Sequence, residues 1–434
     1  MRRLALLSLI VVVIFVIAAS SVVALPLTEA GADLQATVPP TNTARPTAPP
    51  TNTPRPTVAM PTVEATPYVI GPEDFPDEIN PLTGLPYPSA EAQHRRTLII
   101  KVSNFPEVVR PQSGLSKADI VFEYEVEGAV TRFAAIFRSQ GSDHVGSVRS
   151  ARLLDLELVP MFGALLAYSG ANHWIDEYIL NADWHWRALS PQHGVNDPCE
   201  RFPREGLAYE HTMFCDTFKL WDVAEERQVN DGQKMRGLAF SLLPVEGGEA
   251  AKDIYIDYWN ERQDTRWQYN PADGRYYRWN SGLPHLDAAT GEQLSTDNVV
   301  ILEAVHIDRP DILDSEISGV VIETDLWGSG TAWLFRDGLW YKGAWYHTQG
   351  KLGLWLTMPD GQTPMYLKPG QTWFEVVRPV MYGVEIAAEP VNAQATEQGI
   401  YAAQTQSAGA TATYMAPFIT PSPVPPTPTP IDLP

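Results

Sequence analysis

Three glutamates at a spacing of two, Glu123, Glu125 and Glu127, stand near a set of arginines, Arg132, Arg149 and Arg152, with Asp155 just beyond. Carboxylates in groups do two kinds of work. A protonated and an ionised acid can flank a glycosidic bond, and several oxygens together can hold a hard cation. Glu123, Glu125 and Asp155 are the candidates for the first role, that of a carboxylate-based glycan hydrolase. The second is poorly served, because side chains two apart on a strand lie roughly 7 Å from each other, too far to share one cation unaided. Guanidinium groups present a planar fork of donors to a carboxylate or a phosphate, which makes Arg132, Arg149 and Arg152 the ligand-binding candidates. The plainest alternative is that the two charge sets satisfy each other.

No other catalytic device is complete. There is no G-x-S-x-G elbow, Ser150 has no histidine at a motif spacing, Gly328-Ser329-Gly330 lacks the rest of a dinucleotide fingerprint, and no P-loop occurs. Cys199 and Cys215 share a region with His173, His185, His193 and His211, at spacings that match no compact metal motif. No metal and no cofactor is expected, and a non-catalytic role leads.

These residues need elements to hold them. Phe122, Tyr124 and Val126 alternate with the glutamates, the period-two pattern of a strand with one apolar and one acidic face. Gly128-Ala129 reads as a two-residue hairpin loop before a second strand, Val130 to Phe137. That register sets Glu127 opposite Val130 and Glu125 opposite Arg132. On an exposed face such a cross-strand ion pair contributes only ~0.2 to 1 kcal/mol. Ser150 is the expected N-cap of a helix bearing Leu153, Leu154 and Leu156, which Pro160 ends or restarts. Arg149 and Arg152 at the positive end of that helix call for a negative partner, either Asp155 or the glutamate row. Apolar runs at Thr97 to Val102 and Leu165 to Tyr168 supply further strands.

Beyond about Gly247 short strands alternate with turns: Ile254 to Trp259, Thr265 to Tyr269, Arg275 to Trp279, Val299 to His306, Gly319 to Glu323, Thr331 to Phe335 and Leu339 to Tyr346. Nine tryptophans crowd this half, among them Trp267, Trp279, Trp333, Trp340, Trp345 and Trp373. Core and cross-strand packing is their first reading; exposure along one face would make a platform for sugar stacking.

The ends of the chain speak of location. Arg2 and Arg3 precede an apolar run from Leu4 to Ala24, an export signal that is also long enough to remain as a membrane anchor. From about Ala36 to Pro67 the chain is rich in Pro and Thr, and PPTNTARPT returns as PPTNTPRPT. About 30 such residues, extended at roughly 3 Å each, would hold a body up to ~90 Å from an anchor. The organisation expected is therefore a signal peptide or anchor at 1–24, a Pro/Thr-rich linker at 25–71, an α/β domain at 72–246, a β-rich domain at 247–387, and a disordered Pro/Thr-rich tail at 388–434. The fold class is α+β. In an exported protein Cys199 and Cys215 form a disulfide by default, and closing that loop stabilises by about 3 kcal/mol in the chain-entropy model. With 31 Lys and Arg against 52 Asp and Glu the net charge is −21, which repels nucleic acid and leaves an envelope glycan or an envelope protein as the expected partner.

NPLTGLP at Asn80, KVSNFPEVVRPQSGLSKADIVFEYEVEGAVTRFAAIF from Lys101, VGSVRSAR at Val145 and YEHTMF at Tyr209 resemble the YerB-like family of exported bacterial proteins, catalogued as bacterial domain of unknown function 3048. The strings GSGTAWLFRDGLWYKGAWY and LKPGQTWFEVV resemble its second portion, so the likeness runs from about Asn80 to Val377. It implies an exported, envelope-facing protein with two conjoined α/β portions. The family has no assigned reaction, so no catalytic residue carries over. A lipid-modified member needs a cysteine after the apolar run; this chain has none there, which leaves anchoring to the apolar segment itself.

Overall fold

A computed structural model describes residues 68–391, apart from 205, 259–262, 315–318, 349–351 and 379–382. The apolar run at 1–24, most of the linker and nearly all of the tail lie outside the described residues. Among those described, no helix is long and apolar enough to cross a membrane.

The first half supplies β1 (Leu98–Ser103), β2 (Ile120–Val126) and β3 (Val130–Phe137), then α1 (Asp155–Phe162), β4 (Leu165–Ala167), α2 (His173–Asn181), β5 (Ala188–Leu189) and α3 (Thr217–Glu226). Beyond 247 the described elements are strands alone. They are β6 (Glu249–Ala250), β7 (Asp253–Ile256), β8 (Thr265–Asn270), β9 (Arg275–Asn280), β10 (Asn298–Glu303), β11 (Gly328–Arg336), β12 (Leu339–His347), β13 (Trp355–Thr357), β14 (Thr372–Val377) and β15 (Val384–Ala387), with a hairpin at Val305–Asp314 and Gly319–Asp325. The mixed α+β class holds.

One 11-stranded sheet runs through both halves in the order β6-β12-β11-β10-β14-β2-β3-β1-β4-β5, with β13 on β12. The boundary expected near 247 therefore separates two stretches of sequence but not two cores. Its physical cause is β14, whose apolar strand pairs in parallel with β10 on one side and β2 on the other. A six-stranded sheet, built from β9, β8, β7, β15 and two short strands, covers one face of the large sheet.

Each face of β2 has its own core. Ile120, Phe122, Tyr124 and Val126 pack with Leu154, Leu158 and Phe162 around α1, and Phe122 stacks on Phe374 with ring centroids 4.6 Å apart. Val121 turns the other way and joins Phe133, Trp373, Trp267 and Ile254 between the sheets. All seven residues of β2 are buried. The glutamate face is thus covered by the second sheet instead of facing water, because β2 is a central strand flanked on both sides.

The hairpin register also differs from expectation. Val126 pairs with Val130, Glu125 with Thr131 and Tyr124 with Arg132, so the loop has three residues, Glu127, Gly128 and Ala129. Gly128 and Ala129 both adopt positive φ, and Glu127 is drawn into the loop, where its carboxylate meets Arg152 at 2.5 Å. A one-residue slip moves a partner to the opposite face. Arg132 accordingly lies on the Tyr124 side of the sheet, away from Glu125.

Ser150 is not the cap of α1. The helix starts at Asp155, with Leu154 at its N-cap and no side-chain cap there, while Asp155 Oδ2 accepts the Arg152 N–H at 2.7 Å. Arg149 and Arg152 therefore belong to the segment leading into the helix. Pro160 sits inside α1, which closes at Gly163 in the left-handed conformation; so near the end a missing N–H removes only one helical bond. Among its described residues the second half forms no exposed tryptophan platform, in keeping with core and cross-strand packing. Trp267, Trp345 and Trp373 are buried, Trp333 and Trp340 pack on each other half-buried, and the strongly exposed tryptophans of the described body are Trp174 and Trp186, in the first half.

Candidate functional site

Two polar clusters lie against β2, one on each face. Between the sheets, Glu123 is fully buried and ion-paired with Arg278, which is equally buried. Its other oxygen accepts the Thr131 hydroxyl at 2.6 Å and Asn104 Nδ2 at 3.1 Å. Glu375, the partner of Glu123 on the neighbouring parallel strand, accepts Tyr258 Oη–H at 2.6 Å and Trp267 Nε1–H at 2.8 Å. Burial, reinforced by the charge of Glu123, pushes the Glu375 carboxyl up to about 8. At neutral pH Glu123, Arg278 and Glu375 supply one carboxylate, one guanidinium and one protonated acid, and Arg110 reaches the cluster through Asn104 Oδ1 at 3.2 Å. Glu125 closes its own pair at the edge, receiving Arg378 through Nε at 2.7 Å and Nη2 at 3.1 Å.

The second cluster is on the α1 side and is built by β1, β2, β3 and the segment before α1. Lys101 Nζ lies 2.7 Å from Asp155 Oδ1 and donates to the Tyr124 hydroxyl. Arg152 Nε meets Glu127 Oε2 at 2.5 Å. Arg132 donates from Nη1 to the Ser150 carbonyl at 3.0 Å, and Arg149 from Nη1 to the Glu210 carbonyl at 3.2 Å. Backbone bonds from Arg149 N–H to Lys101 and from Val148 N–H to Met213 lay this segment between β1 and the strand Met213–Cys215. That strand is stapled by the disulfide Cys199–Cys215 to the strand Cys199–Arg201.

The electrostatics of this side are unbalanced. Among the described residues, Lys101 and Arg152 are ion-paired with the buried Asp155 and Glu127, Arg149 is partnered as well, and Arg132 is the cation that no carboxylate meets. Burial pulls the Lys101 ammonium down to about 8 against the opposing pull of Asp155. Burial, then the charges of Arg152 and Arg149, hold the Arg132 guanidinium well below its ordinary range. Burial and Arg149 push His211 down to about 4, so its ring is neutral at physiological pH. Arg132 is only 6% exposed, and among the described residues no carboxylate lies within ion-pair distance of it.

Of the predicted acids, Glu123 and Asp155 are kept apart by the sheet itself, and Glu125 is at the edge in a bidentate pair, so the three do not converge on a common bond. The predicted arginines do come together. Lys101, Arg278 and Glu375 were not singled out, and His211 was named only among the histidines weighed as metal ligands. The first and third carried a signal, a lone charge inside an otherwise apolar strand, LIIKVS and TWFEVV. Such a charge is almost never buried without a partner.

Residues 82–230 match the family model described as "Protein of unknown function (DUF3048) N-terminal domain", and residues 254–374 match its C-terminal domain. The chain belongs to this family. Across the DUF3048 body it is 28% identical over 300 residues to "Putative lipoprotein YerB" of Bacillus subtilis (strain 168), covering 68% of this chain and 85% of that protein. The crystal structure of YerB from Bacillus subtilis superposes with a TM-score of 0.59 at 26% identity, covering 71% of this chain and 99% of that one.

Proposed function

We propose that this DUF3048 protein works outside the cytoplasm, held at the membrane by its apolar N-terminal segment, and that its body binds a wall glycan or an envelope protein without catalysing a reaction. The name of the relative, a lipoprotein, supports the location, as do the export-type N-terminus and the Pro/Thr spacer. The observation that carries the binding role is Arg132, a buried cation that no carboxylate among the described residues meets, set beside Arg149 and Arg152. A buried charge left without a partner costs stability, and it persists where another charge arrives to complete it.

The test is capture of wall glycan and envelope extract by the full chain and by Arg132→Gln, with the melting temperature followed for both. The expected result is at least tenfold weaker capture by the variant at an unchanged or higher melting temperature. Equal capture by the two proteins, or failure of the wild type with both fractions, overturns the reading.

A further inference from the structure

We infer that the site at Arg132 recognises a carboxylate, gripped side-on by the free edge of the Arg132 guanidinium. This rests on the binding role proposed above and names the group that is bound. Arg132 Nη1 is anchored on the Ser150 carbonyl at 3.0 Å. Among the described residues, its Nε and Nη2 donate to no protein group. Those two nitrogens form one edge of the guanidinium plane, whose parallel N–H bonds match the two oxygens of one carboxylate. The molecule uses the same edge elsewhere: Arg378 holds the two oxygens of Glu125 through Nε at 2.7 Å and Nη2 at 3.1 Å. Arg132 presents that edge with no carboxylate of the described chain on it. A fixed backbone acceptor on the far side holds the plane in place, so little rotational freedom is left to lose on binding.

Strand direction places that edge where α/β sheets take their ligands. β1, β4 and β5 pair in parallel, and β2 runs the same way, because β3 lies antiparallel between it and β1. Arg132 pairs with Ser103, the last residue of β1, and with Tyr124 near the end of β2. It therefore stands at the carboxyl ends of these strands. The chain leaving β4 passes there too, with Ser169 N–H donating to the Arg149 carbonyl and the Gly170 carbonyl accepting the Ala151 N–H. Crevices outside the carboxyl ends of such strands are the usual ligand sites of open α/β sheets.

The neighbours decide which acid fits. Among the described residues Lys101 and Arg152 are ion-paired within the protein and Arg149 has partners of its own, which leaves Arg132 as the cation for a ligand to meet. A carboxylate brings one negative charge and two coplanar oxygens, and the free edge of Arg132 answers both. A phosphomonoester brings about −1.5 to −2 at pH 7, and its second charge would be buried without a counterpart. His211 adds a neutral polar group: its Nδ1 is buried with no hydrogen-bond partner, and its ring feels the charges of both Arg149 and Arg132. A neutral imidazole can donate to an oxygen of the bound molecule without adding charge.

The experiment is calorimetric titration of the full chain at pH 7.5 with acetate, its neutral isostere acetamide, and methyl phosphate. Acetate is expected to bind at least tenfold tighter than acetamide and tighter than methyl phosphate. Arg132→Gln is expected to abolish the preference over acetamide, and Arg132→Lys, which keeps the charge but loses the fork, to weaken acetate at least threefold. In the wild-type chain, a ratio over acetamide below tenfold or tighter binding of methyl phosphate overturns the assignment, whether or not the variants fold. A preference kept by folded Arg132→Gln, or a loss below threefold in folded Arg132→Lys, overturns it as well. The source of the carboxylate is read by converting the carboxyl groups of the captured wall fraction to amides. Lost capture puts the group on the wall polymer, and retained capture with acetate still preferred makes the ligand a free small carboxylate. Capture with no preference for acetate removes the carboxylate and leaves the envelope-binding role standing; preference without capture does the reverse.

Discussion

Glu123 and Arg132 lie on neighbouring strands of one hairpin and meet opposite fates. Glu123 enters a cluster in which its carboxylate is ion-paired with Arg278, sealed between two sheets. Arg132 enters a cluster in which, among the described residues, no carboxylate meets it, and it keeps two donors unused. Burial is nearly equal on the two sides, so desolvation alone does not distinguish them. The difference lies in partnering. A closed set joins the two halves of the chain and the two sheets, since Glu123 comes from β2, Glu375 from β14 and Arg278 from β9 of the smaller sheet. An open set stores an uncompensated charge, which is what a ligand-binding site requires of its scaffold.

Removing one member of the closed set is expected to have the largest effect. Arg278→Met leaves Glu123 buried without its cation and should destabilise by about 3 to 5 kcal/mol, read from denaturant unfolding. A loss below about 1 kcal/mol would mean that the cluster is not the clamp described here.

Next is the pH dependence of the same cluster. Glu375 titrates at about 8 in the folded chain against an ordinary 4.5, so between those values the folded state holds the proton that the unfolded state has released. Stability should therefore be full below pH 4.5 for this group and fall as pH rises toward 8. Glu375→Gln should flatten the decline between pH 5.5 and 7.5 by about 2 kcal/mol, while Glu157, also raised to about 8 by burial, keeps a residual slope. An unchanged slope in the variant would assign the decline elsewhere.

On the open side the sign reverses. Arg132→Met should raise stability by about 1 kcal/mol, because it removes a buried cation that no carboxylate among the described residues meets. A loss as large as that of Arg278→Met would place Arg132 in a closed network and erase the contrast. The smallest effect belongs to the edge pair. Arg378→Ala should cost at most about 1 kcal/mol, since the arginine is about a third exposed and salt screens the pair; measurements at two ionic strengths check this.

Much of the fold was legible because periodicity reports local geometry. The alternation of β2 and β3, the strand cadence beyond 247 and the cysteine pairing all depend on neighbours in sequence or on compartment, and the arginines were marked by type alone. The glutamate face of β2 was misread as exposed because period two on a strand does not say which face a second sheet will cover.

From its sequence alone the chain determined a hairpin with one acidic and one apolar face, a disulfide, a family and a set of arginines suited to an anion. Tertiary structure decided which charges are closed and which is open. Pairing between Glu123 and Arg278 spans 155 residues, and the face on which Arg132 falls hangs on one loop residue, Glu127, being drawn toward Arg152. Local pattern carries no information on either, since register and long-range partners are set by whole-sheet packing, where shifting by one residue exchanges the faces.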